Sequence, residues 1–431
     1  MKPAERFELG VEETREKMRV SDVMLSARAG SYSKFAEEFE KKGMKYYLIL
    51  GADVPAFGYK SKALQKYLIE VVREGWTFYP SKGTYMFIEA ISAFEKKFSN
   101  LDFSKKDIIP APGCGGGWNL LHRTLLEPGD EIVTISPCHY LTTMARLVRY
   151  LGAKIIPSPC IEEEEWEPDL EKLRANITKK TKFIELDYPN NPTGVIYSEK
   201  ARKEILNIAG EYDIPVISDE MYELITFDGK KAPSMATLSN DVPVICMRSF
   251  SKMFMAPGWR VGWMSFHDPQ ERITEFKNAC KHPANSSLST NAIPLPLQMA
   301  ATRVLKACMD IPKFLADQLE SKDPMSELKD MVRELQTHRD YTYKRISEME
   351  GISMVKPVST LYGIPRVEGI GKIWKTDDDF LLGLMAEEGV AFAKAADYGA
   401  PGHFRTMLMP RIPELEDIFN RLERFISRHS K

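Results

Sequence analysis

Short apolar runs recur through the middle of the chain, each separated from the next by a longer amphipathic or polar stretch, and this alternation restricts the architecture more than any other feature. Glu-Ile-Val-Thr-Ile at 131–135 has the β-branched make-up of a buried strand; a helical pattern follows over 140–151, then Lys-Ile-Ile-Pro at 154–157. Phe-Ile-Glu-Leu (183–186), Ile-Pro-Val-Ile-Ser (214–218) and Pro-Val-Ile-Cys-Met (243–247) repeat the theme, with a charged helical stretch near 197–211 between the first two. The pattern predicts an α/β fold, a mostly parallel sheet flanked by helices.

Both chain ends differ in texture. Helical patterns dominate 325–349 and 412–428, with short strand candidates near 353–357 and 404–408. A second, smaller α/β domain built from both ends is expected: residues 1–60 give an N-terminal arm and part of it, 61–300 the large domain, and 301–431 the remainder. No repeat of 20–50 residues or low-complexity linker suggests an array.

Charge and composition exclude several classes. With 59 Lys+Arg against 61 Asp+Glu, the net charge of -2 supplies no general basic field for a nucleic-acid backbone. The longest uncharged stretch, 283–302, is rich in Ser, Asn and Thr and broken by proline, which argues against a membrane span. Charge appears from Lys2 onward with no apolar signal segment, so a cytoplasmic location is expected. The 6 cysteines form no C-x-x-C pair and the 7 histidines no H-E-x-x-H motif, so no metal site is expected.

Four segments carry candidate chemistry. In 247–260, Lys252 offers an amine able to form a Schiff base with an aldehyde, and Ser249, Ser251 and Arg260 offer hydroxyls and a guanidinium suited to phosphate. Aldehyde plus phosphate on one ligand suggests pyridoxal phosphate, although by composition alone such a cluster is more often a surface lysine beside a structural arginine. In 187–194, Asn191 sits in a Pro-rich turn and offers an amide donor; in 217–222, Asp219 ends a strand candidate, placed to hold a pyridine nitrogen protonated, and Tyr222 follows three residues later. Upstream, Gly113, Cys114 and Gly115 open a glycine-rich turn before a helical run, where backbone amides hold an anion. Each has a bland reading as a tight loop or strand-end cap; their order after successive strand candidates is what combines them.

With these motifs the sequence resembles the class I and II aminotransferases of the aspartate aminotransferase fold, and among them the bacterial-type alanine aminotransferases. The resemblance covers roughly residues 45–430 and rests on YPSKG (79–83), EPGDEIVTISP (127–137), DYPNNPTG (187–194), SDEMY (218–222), SFSK (249–252) and GWR (258–260). FDGKKAPS (227–234) and GHFRTMLMPRIPELED (402–417) point towards the alanine branch.

The resemblance implies pyridoxal-phosphate fold type I and a role for each matching residue. Lys252 would bind the cofactor aldehyde and then shuttle protons, Asp219 would stabilise the protonated ring nitrogen, and Tyr222 and Asn191 would bind the ring hydroxyl. Ser249, Ser251, Arg260 and the Gly113–Cys114–Gly115 backbone would hold the phosphate. Tyr79 would cross a homodimer interface to the neighbouring cofactor, so that each site needs two subunits. Arg405 would anchor the substrate α-carboxylate, with Gly51 and Asn191 beside it, and either His139 or Tyr140 would stack on the ring.

Two stretches depart from the family pattern. Pro-Val-Ser-Thr-Leu-Tyr at 357–362 replaces P-x-G-A-F/L-Y, and Ala-Lys-Ala-Ala at 393–396 replaces PG-x-x-F; Lys394 either points outwards or favours an acidic or polar substrate. The implied reaction is ping-pong transamination between small-molecule amino and 2-oxo acids, alanine and 2-oxoglutarate first. Aspartate or aromatic donors, a β-lyase or other pyridoxal enzyme, and a non-catalytic ligand-binding protein are the alternatives.

Overall fold

A computed structural model describes residues 32–51, 61–76, 81–310 and 323–429. Strand β1 (Tyr47–Ile49) belongs to a small sheet. The next eight, β2 (Ile108–Ala111), β3 (Glu131–Ser136), β4 (Lys154–Ile161), β5 (Glu167–Pro168), β6 (Thr181–Asp187), β7 (Val216–Asp219), β8 (Val244–Ser249) and β9 (Gly262–His267), form the large sheet in the order β2-β9-β8-β7-β6-β3-β4-β5. Strands β8, β7, β6, β3 and β4 run parallel, while β9 is antiparallel to both its neighbours and β5 is an antiparallel edge. Strands β7 and β8 are buried throughout, which is why their sequences read as continuous apolar runs rather than alternating ones.

After β3 the chain turns to β4 on one side and later returns to β6 on the other. Ligands of open α/β sheets gather at such a switch point, outside the carboxyl ends of the strands. The charged stretch near 197–211 is the helix Glu199–Glu211, capped by Ser198 accepting from the Ala201 amide, and it buries Ile205, Leu206 and Ile208. The single helix expected over 140–151 is two, Tyr140–Thr143 and Ala145–Tyr150. Thr142 and Thr143 both donate their hydroxyls to the His139 carbonyl (2.8 and 3.1 Å), the local side-chain competition that disfavours a continuous helix.

In the C-terminal region β10 (Ile352–Ser353) and β12 (Arg366–Val367) form a short antiparallel pair. Strands β11 (Tyr362–Gly363), β13 (Val390–Lys394) and β14 (Phe404–Met407) join β1 in the order β1-β13-β14-β11. Helix Pro324–Glu348, capped by the Asp323 carboxylate, packs against Ile412–His429. Among the described residues no helix is long and apolar enough to cross a membrane, and no group of His, Cys, Asp and Glu is arranged to hold a metal ion.

Under the strand ends lies a buried ionic cluster. Arg248 bonds Glu95 (3.0 Å), Glu220 (2.5 Å) and Glu223 (2.6 Å), with the guanidinium and the Glu95 and Glu220 side chains fully inaccessible. Trp263 and Ser265 donate to Glu95, and Ser234 and the Met235 amide to Glu220. One cation faces three carboxylates; burial pushes Glu220 up to about 7 against the pull of Arg248, and raises Glu95 as well. Removing the cation strands buried charge, so Arg248→Leu should cost about 3–5 kcal/mol. Urea denaturation of the two proteins measures it, and a loss below about 1 kcal/mol would contradict this account of the cluster.

Candidate active site

The chemistry-bearing segments meet at the carboxyl ends of β3, β6, β7 and β8. Lys252 lies in the one-turn helix Phe250–Met253 that leaves β8, capped by the Ser249 hydroxyl accepting from the Ser251 amide (3.2 Å). Gly113 starts the helix Gly113–Leu125 with φ of +71°, and a Cβ there would lie 2.8 Å from Arg260 Nη2. Glycine therefore admits both the left-handed turn and the close approach of the guanidinium. Arg260, itself at φ 52°, donates to the carbonyls of Pro257 (2.9 Å) and Pro112 (3.1 Å). First-turn amides, a guanidinium and the Ser249 and Ser251 hydroxyls together make a cradle suited to a phosphate.

Behind the cradle, Asp219 accepts from Trp118 Nε1 (3.3 Å) and the Met221 amide (3.4 Å), and burial followed by the Asp219 charge pushes the Cys114 thiol up. Burial lifts the Asp219 carboxyl to about 6, with the Trp118 hydrogen bond opposing it. Trp118 carried no signal in the sequence; it is five residues after Gly113, and only the packing of that helix on the sheet brings its indole to Asp219. Asp187 was also missed. It stands level with Asp219 across the β6–β7 register and accepts from the His139 amide (2.7 Å). Burial, and then the Asp219 charge, hold Asp187 well above the usual carboxylate range.

The substrate side is assembled by Arg405 on β14. Its Nη1 donates to Asn191 Oδ1 (3.3 Å) and Nη2 to the Leu50 carbonyl (2.7 Å), while Asn191 Nδ2 donates to the Tyr222 hydroxyl (3.3 Å). The guanidinium carbon lies 4.3 Å from the centre of the Tyr362 ring and 4.6 Å from that of Tyr398, and Nε has no hydrogen-bond partner among the described residues. Gly51 follows Leu50 and is exposed. Tyr398, unremarked in the sequence beside the altered 393–396 stretch, stacks on His139 with centroids 5.9 Å apart.

His139 and Tyr140 have separate surroundings. Burial, then the charges of Arg405 and Lys252, pull His139 down to about 3, so its ring is neutral and faces those two cations. Tyr140 is turned away: its hydroxyl pairs with His122 Nε2 (2.7 Å) and its ring meets Trp118 edge-on, inside the core. Of the two candidates for stacking, Tyr140 thus has its phenol committed to a buried imidazole, and His139 is the one beside Arg405 and Lys252. Lys394 is held by Asp378 (3.0 Å), away from Arg405, which is the outward of its two expected orientations. Tyr79 lies outside the described residues.

The donor set fits pyridoxal phosphate: a cradle that a Cβ would fill, a buried carboxylate beneath it, a lysine at the adjacent strand end, and an amide–phenol pair between them. The comparisons with known proteins agree. The sequence profile of the aminotransferase class I and II family matches residues 59–419. A glutamate-pyruvate aminotransferase, AlaA, of Haemophilus influenzae is 27% identical over 403 residues, covering 92% of this chain and 95% of its own. An aspartate aminotransferase of Bacillus subtilis is 28% identical over 387 residues, covering 88% and 91%. Among solved structures, an alanine aminotransferase from Pyrococcus furiosus superposes with a TM-score of 0.85 at 35% identity, covering 95% of this chain and all of that one.

Asp219 generates a pH prediction. Its pKa in the cofactor-free protein, raised to about 6, means that the carboxylate is present above that pH and lost below it. Binding of a protonated pyridine should therefore weaken as pH falls through 6, by up to about tenfold per unit. Cofactor phosphate also titrates in this range, so the measurement is the difference between wild type and Asp219→Asn. Parallel pH dependences in the two would contradict the assignment.

Proposed function

The chain belongs to the family of class I and II aminotransferases, and on that premise we propose that it moves the amino group of L-alanine to 2-oxoglutarate. Pyridoxal-phosphate-dependent transamination of amino acids by a ping-pong sequence follows from the family; the donor and acceptor are our reading. Pyridoxal phosphate, when bound, supplies the aldehyde carbon that takes up the amino group and a ring that accepts the electron pair left by the α-proton.

Residues of the chain do the rest. Lys252 would take the α-proton from the substrate α-carbon onto its amine nitrogen and pass it on, Asp219 would hold the ring nitrogen protonated, and Tyr222 with Asn191 would donate to the ring hydroxyl. The Gly113–Cys114–Gly115 amides, Ser249, Ser251 and Arg260 would bind phosphate, and the His139 ring would stack on the cofactor. Arg405 takes the α-carboxylate common to amino and oxo acid, with Gly51 and Asn191 beside it. By the resemblance, Tyr79 would meet the cofactor phosphate of a second copy, and the enzyme works as a homodimer with shared sites, in the cytoplasm. Residues 61–300 form the cofactor domain, and 301–431 with 1–60 the smaller one.

The observation that carries this reading is the Arg405 clamp, a guanidinium only 2% exposed, held between two aromatic rings beside the Asn191–Tyr222 pair. Alanine is favoured over aspartate because Lys394, the additional cation offered by the altered 393–396 stretch, is committed to Asp378. Relatives named as glutamate-pyruvate and alanine aminotransferases support the same choice.

Alanine added to the cofactor-loaded protein without an oxo acid should convert its absorption to the amino form of the cofactor and release one equivalent of pyruvate. Repeated turnover without an acceptor would indicate lyase chemistry instead, and a response only to glutamate, aspartate or an aromatic amino acid would replace the donor. Arg405→Lys, which loses the two-pronged contact, should raise KM for both amino and oxo acid about 100-fold. Unchanged KM values in steady-state assays would remove Arg405 from the carboxylate site.

A further inference from the structure

Trp118 touches neither the phosphate cradle nor the Arg405 clamp, yet its indole reaches the carboxylate assigned to the cofactor ring nitrogen. Its Nε1–H donates to Asp219 Oδ2 (3.3 Å), while the Met221 amide reaches Oδ1 at 3.4 Å. Three rings hold the indole in place. His122, one turn further along the same helix, stacks on it with centroids 5.4 Å apart at 27°; Tyr140 meets it edge-on at 4.9 Å and 66°; Phe183 of β6 stacks at 6.3 Å and 25°. The Tyr140 hydroxyl pairs with His122 Nε2 (2.7 Å) and ties two of the three together. All four side chains are buried, and burial pulls His122 down to about 3, so this aromatic box adds no charge beside Asp219.

We propose that Trp118 is a positioning residue for the cofactor ring: its indole N–H holds one oxygen of Asp219 and keeps the negative charge on that carboxylate, so that the proton of the pair rests on the ring nitrogen. A hydrogen bond donated to a carboxylate favours its charged form. Burial works the other way, lifting Asp219 to about 6, and the Trp118 bond is the largest influence opposing it. The other ionisable groups that interact with Asp219 are Cys114 on the same helix, Glu185 and Asp187 on β6, and Lys252 after β8. Each of these can change its own charge, whereas an indole donates at every working pH and has no lone pair with which to accept from a protonated carboxyl. The box fixes the direction of that donor, and with it the plane in which Asp219 meets the ring. The inference rests on Asp219 being the carboxylate at the ring nitrogen.

The first test needs no cofactor. In protein labelled with nitrogen-15 at its 6 tryptophans, one indole resonance, identified by its loss in Trp118→Phe, should move as pH falls through about 6 and lose that step in Asp219→Asn. A Trp118 resonance with no step there, or with the same step in Asp219→Asn, overturns the proposal. If Trp118→Phe does not fold, the Asp219→Asn comparison still decides, because the proposal fails when no indole loses a step in it. In the loaded enzyme Trp118→Phe keeps a ring in the box and removes only the donor. It should raise by about one unit the pH below which cofactor binding weakens, and lower kcat about tenfold while changing KM for alanine less than about threefold. A loss of thermal stability with an unshifted pH dependence and wild-type kcat would show a packing role alone and overturn the assignment. Undiminished transamination by Asp219→Asn would sink the reading of Asp219 instead, a separate failure, since the indole titration reports the contact without any cofactor.

Discussion

Alternation along two parallel strands is the constraint on which the site depends. Ile217 and Asp219 of β7 and Ile245 and Met247 of β8 face the layer containing helix Gly113–Leu125, whereas Val216, Val244 and Cys246 face the opposite core. Successive side chains must point to opposite faces. Asp219 is thus delivered to the Trp118 and Cys114 side, while Glu220 and Arg248 go to the other, where helix Ser81–Phe98 supplies Glu95. The Arg248 cluster ties the ends of β7 and β8 together from beneath. Its charges stay on one side of the sheet and those of the proposed reaction on the other, separated by a single backbone layer.

What could be read from the sequence was what is local. The strand runs at 131–135, 183–186 and 243–247 were visible because burial on both faces makes them continuously apolar, and the motifs at their ends because each packs several distinctive residues into a few positions. The antiparallel β9, Gly262–His267, was not read as a strand, since its Trp, Met and Phe sit among a glycine, a serine and a histidine with no clear period. Nor were Trp118, Asp187, Tyr362 and Tyr398 assigned roles. Their partners, Asp219, His139 and Arg405, lie on other elements, and nothing in a local pattern reports contacts such as Asp187 to His139 across 48 residues or Trp118 to Asp219 across 101. The choice between His139 and Tyr140 shows the same limit: adjacent in the chain, they part because the His139 carbonyl gathers two threonine hydroxyls while the Tyr140 phenol finds His122.

The altered 393–396 stretch changes less than its wording suggests. Lys394 replaces no functional cation, because Asp378 at the start of helix Asp377–Glu388 binds it. Tyr398 instead brings an aromatic face to Arg405, opposite Tyr362. Ring contacts of this kind hold a guanidinium without using its N–H donors; here Nη1 and Nη2 also bond Asn191 and the Leu50 carbonyl, and Nε has no partner among the described residues.

Charge balance around the site argues for one particular distribution of protons. Lys252, Arg405 and Arg260 bring three basic side chains to one end of the sheet, and ionising Asp187, Glu185 and Asp219 together would set three carboxylates against them in a dry interior. Glu185 is bonded by the Thr134 hydroxyl and is held well above the usual range by burial and then the Asp187 charge, as Asp187 is by burial and then the Asp219 charge. Burial raises all three, and Asp219, lifted to about 6, is the one whose charge the Trp118 and Met221 hydrogen bonds favour. His139 is driven the other way by burial and the neighbouring cations and stays neutral. A protonated ring nitrogen held at Asp219, as proposed, would meet no added positive charge from the neutral His139 imidazole, an electrostatic condition that favours keeping its proton.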